Sequence, residues 1–147
     1  MAGLRTTTTW WGVVLDAPDA PALAHFYAQL LGWRVFNEDP TGAAVAPAED
    51  AGYYISVQHE SRYVRPVWPA TEGQPQMSMH LDFEVEDLEA AVAHALSVGA
   101  QLAGYQPQET VRVLLDPAGH PFCLYLDPAA GQAQRESAER SADSTSE

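Results

Sequence analysis

Lysine is absent from this chain of 147 residues. All seven basic residues are arginine, set against 20 Asp and Glu, for a net charge of −13. A surface this acidic repels nucleic-acid phosphates and anionic lipid, so neither nucleic acid nor a membrane is expected as a partner. Cys123 is the sole cysteine, which excludes a disulfide within the chain. No run of about 18 apolar residues occurs, so no membrane-spanning helix is expected. Residues 1–9 carry no long apolar stretch of the kind that marks a secretory leader. The expected location is the cytoplasm.

What remains is rich in core-forming groups. Apolar residues make up 46% of the chain, and four of them are tryptophan. A core of useful size can form. The negative charge keeps such a chain dispersed and would attract cationic ligands.

Trp10 to Ala17 (WWGVVLDA) is apolar and rich in β-formers, and predicts a strand. Asp19 then offers a side-chain oxygen to the free amides of a new helix. Pro21 fits a first helical turn, where no intrahelical donor is needed. Leu23, Phe26, Tyr27, Leu30 and Leu31 recur at helical spacing on one face, and Gly32 supplies the stop. A helix over 19–31 follows. Short strands are predicted at 33–37, 43–46 and 53–58, separated by turn residues. Residues 60–77 form a proline-containing connector between halves, long enough to serve as a lid.

The order then repeats. Met79 to Val85 predicts a strand, Asp87 a cap, and Leu88, Ala91, Val92 and Ala95 the inner face of a helix stopped at Gly99. Strands are predicted at 100–106, 110–115 and 122–126, the last two joined by the turn Asp116-Pro117-Ala118-Gly119. An offset of 68 pairs Asp19 with Asp87, Leu15 with Phe83, Val13 with Leu81 and Gly12 with His80. Matching strand, cap, helix and stop in order is the mark of an internal repeat. The expected layout is an arm at 1–9, a first βαβββ module at 10–59, the connector at 60–77, a second module at 78–128, and a disordered tail at 129–147, where apolar groups are few.

Alternation along the strands sorts side chains into two faces. Leu81, Phe83 and Val85 form the apolar set of their strand, leaving His80, Asp82 and Glu84 on the other. In the last strand Phe122, Leu124 and Leu126 are core, so Cys123 and Tyr125 share the open face. Tyr54, Ser56 and Gln58 share a face in the first half, and Trp10 and Gly12 belong to the open set of the first strand. Trp11 and Trp33 are expected in the core. His25, His94 and His120 are expected at the surface.

Three stretches, VVLDAPDAPALAHFYAQLLGW (13–33), HLDFEVEDLEAAVAHALSVGA (80–100) and VLLDPAGHPFCLYL (113–126), resemble the vicinal oxygen chelate superfamily, which includes glyoxalase I, extradiol dioxygenases and bleomycin-resistance proteins. The glyoxalase-like subgroup resembles it most, through a helix ending in LGW and a DPxGxxFCL hairpin. The resemblance implies an α+β fold in which two βαβββ modules form curled mixed sheets around a cavity, with helices on the outer face. It also implies where metal-dependent members place their ligands: near the start of each module's first strand and on its last strand. Carried over, these positions are Gly12 and His80, one of Tyr54, Ser56 or Gln58, and Cys123. Gly12 has no donor, and one His, a neutral amide and a Cys make a poor set for a divalent ion. No metal cofactor is therefore expected; any ion that did bind would rest on His80 and Cys123.

The leading expectation is a binder that sequesters a small aromatic or cationic molecule among Trp10, Tyr54, Gln58, Trp68, His80, Asp82, Cys123 and Tyr125. Aromatic faces stack on planar or cationic groups, and the acidic surface favours the latter. The alternatives are a metal-free lyase or isomerase using His80 and Asp82 for proton transfer, and a metal-dependent lyase or dioxygenase. A homodimer is expected, since the superfamily often pairs modules across subunits and sheet edges need cover.

Overall fold

The computed structural model describes residues 3–4 and 8–144, apart from the side chains of 130, 131, 133 and 134. The expected N-terminal arm thus lies partly outside the described residues. The chain divides into two compact units, Met1–Arg65 with Asp116–Gly119, and Pro66–Leu115 with His120–Glu147.

The first unit contains β1 (Trp11–Ala17), α1 (Ala20–Leu31), β2 (Arg34–Asp39), β3 (Gly42–Ala46) and β4 (Tyr53–His59). Its sheet runs β1-β4-β3-β2, with β1 parallel to β4 and the other neighbours antiparallel. The second unit contains β5 (Leu81–Val85), α2 (Leu88–Ser97), β6 (Gln101–Leu102), β7 (Val111–Leu115), β8 (Pro121–Leu126) and α3 (Pro128–Asp143). Its sheet runs β5-β8-β7-β6, again with the first pair parallel. The fold is α+β, two unclosed four-stranded mixed sheets of identical strand order, and the helices begin 68 positions apart, at Ala20 and Leu88.

Both N-caps form as the sequence dictates. Asp19 Oδ1 accepts from Ala22 N at 3.1 Å and Asp87 Oδ1 from Ala90 N at 3.0 Å. Gly32 closes α1 in the left-handed conformation at φ 68°, which glycine adopts without steric cost. The two helices differ in cover. α1 buries Leu23, Phe26 and Tyr27 together with three alanines against Val45, Ile55 and Val57, whereas α2 fully buries Ala95 alone. The second core centres on Leu114, Phe122 and Leu124, with Phe83 edge-on to Phe122 at 6.2 Å.

Three expectations are corrected. The strand predicted over 100–106 pairs only at Gln101–Leu102. Beyond it, the Gln106 side chain takes over the backbone pairing, donating to Ala103 O and Val113 O and accepting from Val113 N, all at 2.8–2.9 Å. Trp11 is not core but 51% exposed, because β1 starts beyond the cover of α1; it stacks at 6.4 Å on Tyr53, and Trp33 is half-buried against the same ring. The tail is not disordered throughout but forms α3. Asp127 caps it through Ala129 N at 3.0 Å, Pro128 fits its first turn, and strong helix formers follow. Residues 145–147 of the expected tail lie outside the described residues.

Candidate functional site

The open face of the first sheet carries small side chains. One row across it reads Phe36, Ala44, Ser56, Val14, and Gly12 stands beside Tyr54. Small residues on one face leave room above it. The result is a cavity of about 500 Å³, within the range that holds drug-sized ligands. Trp10, Phe36 and Tyr54 wall it, Ala44 and Ala46 floor it, and Asn37, Ala48 and Glu49 stand at its rim. Trp10 and Tyr54 face each other with ring centroids 6.4 Å apart.

Two backbone features shape this cavity. A Cβ on Gly12 would collide with ring carbons of Tyr54, so glycine here lets the Tyr54 ring lie flat across β1. Asn37 sits at φ 53°, inside an irregularity where β2 slips register between Phe36 and Asp39. A bulge of this kind re-aims side chains, and Asn tolerates the left-handed region better than most residues.

The first unit also holds a buried carboxylate. Asp116 is 1% exposed and accepts from the Tyr27 hydroxyl at 2.6 Å and from Ala118 N at 2.9 Å. Burial, followed by the Asp116 charge, raises Tyr27 well above the ordinary tyrosine range, and the same two causes push Tyr63 up to about 12. The Tyr63 hydroxyl donates to Ala118 O at 2.6 Å. The DPAG turn therefore holds α1 through Asp116 and the connector through Ala118 O.

The second unit brings together His80, Asp82 and Cys123. Asp82 and Cys123 are register partners across β5 and β8. His80, just before β5, places Nε2 3.0 Å from Asp82 Oδ1. The three donor atoms lie within 4.8 Å of one another. Burial first, then the Asp82 charge and a hydrogen bond to Asp82, push the Cys123 thiol up to about 11. At neutral pH it is a protonated donor rather than a resting thiolate nucleophile. The His80–Asp82 pair has the geometry of a carboxylate-oriented imidazole.

Comparison with known proteins fits this architecture. The Glyoxalase-like domain family matches residues 12–125. The chain belongs to this family, within the vicinal oxygen chelate superfamily. Similar solved structures include a glyoxalase-related enzyme from Fulvimarina pelagi (20% identity, 80% of this chain and 86% of that one, TM-score 0.58). A glyoxalase/bleomycin resistance protein/dioxygenase family enzyme from Burkholderia phytofirmans PsJN is similar at 19% identity, over 83% of this chain and 98% of that one, with TM-score 0.59. A glyoxalase/bleomycin resistance protein from Catenulispora acidiphila is similar at 21% identity over 82% and 99%, with TM-score 0.54. At these identities the likeness establishes the fold alone. No curated protein matches the sequence significantly.

The glyoxalase-like chain departs from the metal site its superfamily implies. In the first unit, Gly12 offers no donor and the Tyr54 ring occupies the space beside it. Gln58 Nε2 donates to Asp16 Oδ1 at 2.7 Å, leaving one neutral amide oxygen. Gly12 and Gln58 alone do not make a divalent-ion site in the first unit.

Of the residues singled out from sequence, Trp10 and Tyr54 meet in the cavity, and His80, Asp82 and Cys123 meet in the second unit. Tyr125 stands on the same face of β8 as Cys123, opposite Glu84. Trp68 is half-buried, stacks on Tyr105 at 6.4 Å, and among the described residues its buried Nε1 has no hydrogen-bond partner. Sequence reading missed Phe36, Asn37, Ala44, Ala46, Ala48 and Glu49. The run of small residues GAAVA (42–46) was the available signal, since alanine in a β-rich context marks a face with space above it.

Among the described residues, no helix is long and apolar enough to cross a membrane.

Proposed function

We propose that this glyoxalase-like protein binds a small planar molecule, aromatic or cationic, in the first-unit cavity, sequestering it rather than turning it over on the superfamily's metal. The observation that carries the reading is Gly12 beneath the Tyr54 ring. The position that would present a metal ligand instead seats an aromatic wall opposite Trp10. Rings of this kind stack on flat ligands, and such contacts contribute about 0.5–1.5 kcal/mol each beyond area burial. Glu49 at the rim and the net charge of −13 favour a positive ligand.

The test is a binding titration with paired planar probes, one cationic and one its neutral isostere. Trp10→Ala should weaken both by about tenfold, matching roughly 1.4 kcal/mol of lost stacking. Glu49→Gln should weaken the cation alone. If Trp10→Ala binds either probe as tightly as the parent, the ligand does not lie in this cavity.

A further inference from the structure

Matching the second module to the first, position by position, shows what changed beneath its helix. Leu23, Phe26 and Tyr27 fill the space under α1, and all three are buried. Their counterparts on α2 are Ala91, His94 and Ala95. Conversely, the fully buried Ala20 and Ala24 become Leu88 and Val92, which are only half-buried. The bulk that filled the space under α1 is missing under α2, and the larger side chains at its first turns do not close the gap. A cleft of about 410 Å³ lies between α2 and strands β6 and β7, lined by Leu88, Glu89, Val92, Leu102 and Arg112.

Arg112 breaks the pattern of a helix-facing row. Across the second sheet Phe83, Leu124 and Arg112 stand in register; across the first, the same row reads Leu15, Val57 and Ala43. Ala43 is 4% exposed, and its counterpart in the second module is a permanent cation. A charge on a face otherwise given to the core costs desolvation unless it is paired. Arg112 is paired on one side only. Its Nη1 donates to the carbonyls of Gln108, Glu109 and Val111 at 3.2, 2.9 and 2.9 Å. Among the described residues Nε and Nη2 have no protein partner, and no ion pair joins the guanidinium to Glu89. The carbonyls thus hold the group still and leave its Nε–Nη2 edge open, where two parallel N–H donors match a carboxylate.

We propose that this cleft binds a small aliphatic acid, with its carboxylate on the Nε–Nη2 edge of Arg112 and its chain against Leu88, Val92 and Leu102. The lining holds no aromatic ring, so the chain is held by burial of aliphatic surface rather than by stacking. Glu89 beside the cleft and the net charge of −13 oppose a second negative charge on the ligand, which favours a carboxylate over a phosphate dianion. Leu102 is 43% exposed, so a ligand enters from solvent without opening the fold. All five lining residues belong to the second compact unit. The proposal does not rest on the first-unit cavity, and either can fail without the other.

Titration of the full-length chain with octanoate, octanamide and octyl phosphate tests this, at about pH 8, where the phosphate is a dianion. The expected result is one equivalent of octanoate bound, with each of the other two at least about tenfold weaker. In proton–nitrogen correlation spectra of the parent, octanoate should move the Arg112 Nε–H signal and the amides of Leu88, Val92 and Leu102. Arg112→Gln should bring octanoate down to the level of octanamide. Val92→Trp, which fills the cleft and keeps the arginine, should abolish both, with the parent's circular dichroism retained. Failure of the folded parent to bind octanoate would overturn the proposal. So would equal affinity for either analogue, or signal shifts centred on Trp10 and Tyr54 in place of the cleft.

Discussion

At Gly12 a single missing methyl decides what the first sheet can hold. Gly12→Ala would drive a Cβ into the Tyr54 ring. The expected cost is about 1–3 kcal/mol, as for other overpacked sites, read as a lower urea midpoint together with weaker probe binding. Tyr27→Phe acts in the opposite way, removing the hydroxyl that serves the buried Asp116. An under-satisfied buried acceptor costs about 1–3 kcal/mol. The same residue gives a pH signature. Tyr27 and Tyr63 both hold their protons above the ordinary value of 10.0, Tyr63 to about 12. The unfolded chain surrenders these protons from about pH 10, so the native state binds more protons above that point. Their contribution is complete below pH 10 and falls as pH rises toward 12. Denaturation midpoints across that window should decline in the parent and decline less in Tyr27→Phe. At this scale much was legible. Alternation alone placed His80, Asp82 and Cys123 on one face, because a strand pairing in register keeps that face common. The role of Gly12 as a seat for Tyr54 was not legible, because it depends on a ring from β4 crossing to β1. Nor was Asn37, since a bulge shifts the alternation that sequence reading relies on.

Helices α1 and α2 share caps and spacing but not energetic weight. α1 covers its sheet with six buried residues and α2 with one. Leu23→Ala should therefore cost about 2–5 kcal/mol, and Val92→Ala, at a half-buried site, markedly less. Equilibrium unfolding of the two variants compares them directly, and equal losses would mean the second helix carries more than its burial implies. α3 is a third case. Every described side chain in it is exposed, and its ties outward include the surface pair Arg135–Glu109 at 3.1 Å, worth about 0–1 kcal/mol. Ending the chain at Asp127 should leave Tm nearly unchanged and lower helical ellipticity. Helix and strand order was readable because caps, glycine stops and periodicity all agreed. The tail was misread because composition reports the lack of a core-facing stripe, while a local helix needs only a cap and good helix formers. The end of β6 was misread because Gln106 mimics backbone, which periodicity does not register.

For the molecule as a whole, charge and architecture point the same way. A net charge of −13 with no lysine should make cation binding sensitive to salt, weakening between 0.01 and about 0.15 M ionic strength as the screening length shortens from about 30 to 8 Å. Binding of a neutral isostere should hold steady. Each sheet ends in two edge strands, β1 and β2 in one, β5 and β6 in the other. Edges of this kind invite pairing or cover, and we expect a homodimer, seen as twice the chain mass in light scattering; a monomer at micromolar concentration would contradict it. The central claim is that aromatic walls, rather than the superfamily's shared metal, serve the first unit. Tryptophan quenching by a planar cationic dye, with and without chelator, tests it most directly. The account predicts one-site quenching that chelator leaves intact and Trp10→Ala weakens about tenfold; quenching abolished by chelator, or equal in Trp10→Ala, would contradict it.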